Sequence, residues 1–196
     1  MKIALITGAS QGIGSAIAQE LNQKKIKVIL VSRSKAKLKK IQTSLKFPKN
    51  SIIISKDLRS LSACNSIGAK IKKLNYLINV AGATKGGSFL KLKDNVWDDG
   101  FNLKFKAAVR LSRNFWKTLR RNKGKVINIG GGAARTPSNT FMIGGAVNSA
   151  LNNFSRSLAM QGKIDKVSVS IIHPGMTLTS RLKKLLETDS KILKKS

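Results

Sequence analysis

The sequence predicts a doubly wound parallel α/β sheet, and three observations carry that prediction. Short, continuous apolar runs recur along the 196 residues, each of strand length. Stretches with apolar residues at helical spacing separate them. The first run passes directly into a glycine-rich turn, Gly8-Ala9-Ser10-Gln11-Gly12-Ile13-Gly14, which opens a helix.

The elements follow in order. Residues 2–6 form a strand, and residues 13–23 a helix with Ile13, Ile17 and Leu21 inward. Residues 27–31 are a second strand, and 35–46 a lysine-rich helix with Leu38, Ile41 and Leu45 on one stripe. Residues 51–55 are a third strand, and a helix over 60–72 carries Leu61, Ile67 and Ile71. Residues 75–80 are a fourth strand. A long helix over 96–120 has Phe101, Phe105, Val109, Phe115, Trp116 and Leu119 as its apolar positions. Residues 125–129 are a fifth strand ending in Gly130-Gly131-Gly132, followed by a helix over 141–160 and a sixth strand over 167–172. Strands buried on both faces and joined by right-handed crossovers give a Rossmann-type sheet of six strands. One domain is expected over 1–182, with a basic tail, 183–196, as a short helix.

Composition narrows the function classes. No apolar stretch is long enough for a transmembrane helix. The first strand begins at residue 2 or 3, which leaves no room for a secretory signal. A single cysteine, Cys64, cannot form an internal disulfide, and a single histidine, His173, argues against a metal cluster, so no metal site is expected. The cytoplasm or another reducing compartment, such as an organelle matrix, follows from this usage. The charge is unusual: 38 Lys and Arg against 8 Asp and Glu, a net +30. Such a surface attracts polyanions; a compositional bias towards Lys, Ile, Asn and Ser is the competing account. The basic residues recur at 24–27, 35–40, 70–73, 120–125 and beyond 180, at helix ends and loops, with no aromatic residues interleaved for base stacking.

The glycine turn carries the first chemistry. Gly8, Gly12 and Gly14 permit a tight turn and a close backbone approach to phosphate, and the following helix offers unpaired N–H groups. Thr7 and Ser10 can add hydroxyl donors, and Ile13 lies in the first helical turn. The second strand ends in Ser32-Arg33. An acidic residue there would accept the ribose hydroxyls of NAD, whereas Arg33 suits an additional 2′-phosphate. NADP(H) is therefore expected over NAD(H), with Lys35 and Lys37 near the phosphate.

These motifs resemble the short-chain dehydrogenase/reductase family. Further matches are Asp57-Leu58 after the third strand, Asn79-Val80-Ala81-Gly82 after the fourth, Asn102 in the long helix, and Pro174-Gly175-Met176-Thr177-Leu178-Thr179 after the sixth. The resemblance implies that Asp57 holds the adenine ring, that Asn79 and Gly82 sit near the adenosine ribose, and that Thr179 borders the nicotinamide. It also places Asn102 as the structural and proton-relay asparagine. The family packs its long helix and the helix after strand five against a second subunit. That implies a homodimer through residues 96–120 and 141–160, aided by the small residues Ala107, Ala108, Gly145, Ala146 and Ala150. Typical members continue into a covering segment, a last helix and a seventh strand, so this chain resembles a shortened member in which strand six is an edge.

The catalytic residues of the family do not match. Anchored on Ala150–Ala159, the tyrosine position falls on Gly144, the lysine on Asn148 and the serine on Gly131. Carbonyl reduction needs a proton delivered to oxygen, and Gly144 has none to give. Tyr76 lies in a strand and reads as packing. His173 lies beside Pro174, where it can approach a nicotinamide or simply satisfy the loop. Asn102, Ser138 and Asn148 are the only chemically imaginable helpers; Thr140 and Ser149 lie nearby in sequence. Two readings follow. One is an NADP(H)-binding oxidoreductase of a divergent branch with atypical or no hydride transfer to a small carbonyl or alcohol. The other is a pseudoenzyme without cofactor, a structural or regulatory subunit binding RNA or an acidic protein.

Overall fold

The computed structural model describes residues 1–175 and residue 177. Its six strands are β1 (Ile3–Thr7), β2 (Lys27–Ser32), β3 (Ser51–Ser55), β4 (Tyr76–Asn79), β5 (Lys125–Ile129) and β6 (Ser168–Ile172). All pair in parallel, in the order β3-β2-β1-β4-β5-β6. Chain direction across the sheet reverses between β1 and β4. At such a switch point neighbouring connections leave on opposite faces and open a crevice at the carboxyl ends of the strands. The basic tail and Thr179 lie outside the described residues.

Two apolar layers hold the sheet. Alternate strand residues point to opposite faces, so Leu5, Ile29, Leu77 and Val126 join one cluster, while Ile6, Leu30 and Ile78 join the other. Helices α1 (Gly12–Gln23) and α2 (Lys35–Ser44) cover the second cluster with Ala18 and Leu38. Helices α3 (Leu61–Lys70) and α5 (Ala107–Arg121) cover the first with Ile67, Leu111, Phe115 and Leu119. Ser34 and Ser60 cap α2 and α3 by accepting from the amides of Lys37 and Ala63.

Several expectations are corrected. The most deeply buried face of α1 is Gly14, Ala18 and Asn22, because small residues bring this helix close to the sheet; Ile17 and Leu21 pack half-buried against the second cluster as expected, whereas Ile13 borders the cavity. Leu61 is exposed, since the buried face of α3 is Ala63, Cys64 and Ile67. The long helix is continuous over the expected residues but not regular: α4 (Asp94–Gly100) passes through a π-helical turn, Phe101–Lys106, into α5. The Ala107 amide donates to the Asn102 carbonyl across that turn. Ala107 and Ala108, expected at a subunit interface, are buried in the core instead. The outward apolar residues here are Phe105 and Phe154, packed edge to face at 6.0 Å between ring centres. Helix α6 (Met142–Asp165) ends past residue 160 on a left-handed Lys166. No helix among the described residues is long and apolar enough to cross a membrane.

Candidate functional site

Above the carboxyl ends of the strands lies a cavity of about 740 Å³. One end is built by the β1–α1 turn. Gly8 and Gly12 adopt φ of 66° and 56°, which side chains resist. A Cβ on Gly14 would come within 2.3 Å of the Gly8 carbonyl oxygen, and one on Gly8 within 3.0 Å of Ala81. The backbones of β1 and β4 therefore touch across the switch point. Thr7 is buried, and its hydroxyl accepts from the Val80 and Ala81 amides at 3.0 Å, which locks this contact. That removes Thr7 from the cavity, against the expectation of a donor there. Gln11 makes no capping bond to α1, so the first-turn amides of the helix have no side-chain partner from it. Gly8, Ser10, Gly12 and Ile13 all line the cavity.

The neighbouring wall is basic. Arg33, Lys37 and Lys56 line it, together with Ser32, whose buried hydroxyl has no hydrogen-bond partner among the described residues. Lys35 does not line it; Lys56, which no motif marked, does. Asp57 does not reach the wall. Its carboxylate accepts from the Arg59 amide at 3.1 Å and the Arg59 guanidinium at 3.3 Å, and lies 3.8 Å from Arg33. Arg59 in turn donates to both carboxylate oxygens of Asp99, with Nη2 at 2.9 Å. That bond holds the Asp99 carboxyl below its ordinary range and raises the guanidinium. Asn79 is also turned aside: its amide donates to Asn128 Oδ1 at 2.8 Å, Asn128 donates to Ser155, and Ser155 to the Leu151 carbonyl. Gly82 lines the cavity.

The other end differs. Gly130, Gly131 and Gly132 border it where β5 stops. A Cβ on Gly144 would meet the Phe141 ring at 1.8 Å, so that ring fills the space a side chain at 144 would take. Phe141 itself lines the cavity. Asn148 is buried; its amide donates to the Gly144 carbonyl at 2.7 Å and covers Gly131, while its Oδ1 has no partner among the described residues. Ser138 bonds Thr140 at 3.0 Å and does not line the cavity, and Ser149 donates to the Ala134 carbonyl. His173 is held between β5 and α6, with Nδ1 accepting from the Gly131 amide at 3.2 Å and Nε2 3.1 Å from Asn152 Oδ1.

The residue that sequence reasoning missed here is Lys104. Asn102 is half-buried and does not line the cavity, whereas Lys104, two positions on, is buried at 9% exposure and does. Its Nζ donates to the Gly130 carbonyl at 3.2 Å, and its stem lies against Gly82. The π turn changes the helical phase and swings Leu103 and Lys104 inward. A regular helix drawn through 96–120 gives no such signal.

A glycine turn, a basic wall and a second end lined by Gly130–Gly132 and Phe141 thus surround one cavity above a six-stranded parallel sheet. The family described as short chain dehydrogenase matches residues 2–190. The chain belongs to that family. The 3-oxoacyl (acyl-carrier-protein) reductase of Rickettsia typhi is 32% identical over 189 residues, 95% of this chain and 77% of that protein. The 2,3-dihydro-2,3-dihydroxybenzoate dehydrogenase of Bacillus subtilis is 29% identical over 184 residues, 91% of this chain and 70% of its own. Among solved structures, L-sorbose reductase from Gluconobacter frateurii, complexed with NADPH and L-sorbose, superposes with a TM-score of 0.88 at 28% identity, covering 97% of this chain and 75% of that one.

Proposed function

We propose that this short chain dehydrogenase homologue is an oxidoreductase that binds NADP(H) and acts on a small carbonyl or alcohol through an atypical proton donor. The observation that carries the cofactor reading is the pairing of a positive-φ glycine turn with a basic wall holding an unsatisfied buried hydroxyl, Ser32 Oγ. Two relatives above 25% identity, the sorbose reductase and the Pseudomonas aeruginosa RhlG complex, are described with NADPH or NADP. The residues present fit that group. The first-turn amides of α1 would hold the pyrophosphate. Arg33, Lys37, Lys56 and Ser32 would hold the 2′-phosphate, and the unpartnered Oδ1 of Asn148 would accept from a ribose hydroxyl. When bound, the nicotinamide supplies or takes the hydride.

The chain's own contribution to the chemistry is a proton. Gly131 and Gly144 carry no group that holds or donates one. Lys104 Nζ–H, fixed by the Gly130 carbonyl at the same end of the cavity, donates to the substrate oxygen as it becomes an alkoxide, and the amine takes a proton back from solvent. The outward face of Phe105 and Phe154 would meet a second subunit in a homodimer. The alternative, a non-catalytic structural or regulatory subunit binding RNA or an acidic protein, draws on the emptied triad positions and the +30 charge.

Titration with NADPH and NADH, followed by nicotinamide fluorescence, tests the cofactor reading. NADPH is expected to saturate and to bind more tightly than NADH. No saturable binding of either dinucleotide would overturn it.

A further inference from the structure

The lysines that are scattered in sequence converge in space. In a parallel sheet every return from helix to strand arrives at the same edge, the amino ends of the strands, opposite the cavity. The five returns contain residues 24–27, 46–49, 70–73, 120–125 and 163–166, and each carries two or more Lys or Arg. Backbone bonds tie four of these returns and Lys2 into one row. The Lys27 amide donates to the Lys2 carbonyl, Asn75 to Ile3, Lys125 to Asn75, and Ser168 to Gly124, all between 2.8 and 3.1 Å. Among the described residues, the acidic ones near this edge are Glu20 and Asp165, each already paired, with Lys24 at 2.9 Å and Arg120 at 3.4 Å. Asp57 and Asp99 lie at the other end, beside Arg33 and Arg59.

Two ordinary explanations fall short. Cations complement the negative ends of helices, but Lys2 precedes the first strand and follows no helix, and Lys125 opens a strand. A bias towards lysine and asparagine does not choose between them, yet the left-handed positions on three returns are Lys25, Lys123 and Lys166, with φ of 59°, 45° and 58°. Glycine or asparagine would adopt that conformation with less strain. Lysine there gains nothing from packing, since all three are exposed.

We infer that the amino edge of the sheet is a binding surface for a nucleic-acid phosphate backbone. Six strands about 4.8 Å apart make a row about 24 Å long, which spans about seven phosphates of one strand. A linear row of cations matches a linear array of phosphates. No exposed aromatic platform accompanies it among the described residues: Tyr76, Phe47 and Trp116 are half-buried, and Trp116 is bonded to Asp165, so recognition is of the backbone, independent of base sequence. This inference stands apart from the cofactor reading, because the surface lies at the opposite end of every strand.

The test is fluorescence anisotropy with labelled RNA, single-stranded DNA and duplex DNA of about 20 nucleotides, across about 50 to 200 mM salt. Lys2, Lys27, Lys72 and Lys125 are changed together to Gln in one variant, and Lys35, Lys39, Lys91 and Lys93 in a control. The edge variant is expected to bind at least about ten-fold more weakly and to lower the salt slope by about three, with the control and NADPH titration unchanged. The three probes show which nucleic acid is preferred. Should the fourfold variant fold poorly, Lys72→Gln with Lys73→Gln, on an exposed loop, keeps the direction of effect. Equal weakening by edge and control variants, no binding to any probe, or tighter binding to vesicles of anionic lipid would each overturn the inference.

Discussion

The two ends of the cavity solve the same problem in opposite ways. At the β1–α1 end the cavity wall is backbone: amides, positive φ and the near-contact of Gly8 with Ala81. Side chains there stay small because there is no room for them. At the β5–α6 end the cavity is built from side chains around Gly131, Gly144 and Asn148, the positions to which the resemblance assigns reacting groups. Phe141 fills the volume beside Gly144, and Lys104 comes in from another helix. Backbone-built sites constrain sequence tightly and remain readable. Sites built from side chains can be rebuilt from elsewhere in the fold.

The sharpest way to break this contrast is Gly14→Val. Its Cβ would lie 2.3 Å from the Gly8 carbonyl oxygen, so backbone rather than a movable side chain must give. A loss of about 3 kcal/mol in denaturant unfolding is expected, with NADPH binding gone. Gly144→Tyr is next: the Phe141 ring stands in its way, and a loss of about 2 kcal/mol is expected. Combining it with Phe141→Gly should recover most of that loss, so a double-mutant cycle measures one shared volume. If Gly144→Tyr alone is neutral, the ring is not the filler.

Charge removal sharpens the cofactor end. Arg33→Ala with Lys56→Ala should weaken NADPH by about ten-fold or more, since charge-assisted hydrogen bonds are worth about 1.5–3 kcal/mol each, and leave NADH unchanged in the same fluorescence titration. Lys104→Met should abolish turnover of a small carbonyl while NADPH still binds, whereas Phe141→Tyr, which adds a phenol at the cavity wall, should raise it. The smallest effect concerns acid stability. Asp99 is held below its ordinary range by Arg59, so its contribution is full above the unfolded carboxyl value and is lost as pH falls through the lower folded one. Asp99→Asn should flatten the acid side of the unfolding midpoint against pH and leave its slope at neutral pH unchanged.

Much of the fold was legible in advance because its signals are local. Five-residue apolar runs and helical stripes fix strands and helices whatever lies around them, and β3 and β5 fall on the predicted residues. Gly8, Gly12 and Gly14 were readable for the same reason, since a turn is made by neighbours. What the sequence leaves unread is a matter of phase and competition. Asn102 is named by the resemblance alone, and nothing in composition marks Lys104, because a π turn shifts the inward face. Asp57 keeps its motif, yet two arginines claim its carboxylate. Ser138 lies close to Asn148 in sequence but spends its hydroxyl on Thr140.

The chain itself determined the parallel sheet, its crossover and the phosphate turn, because periodicity and glycine geometry act over a few residues. Only the tertiary structure decided which side chains occupy the far end of the cavity and that five dispersed basic segments share one edge. Those outcomes depend on how helices register against the sheet, and that is settled by packing between residues far apart in the chain.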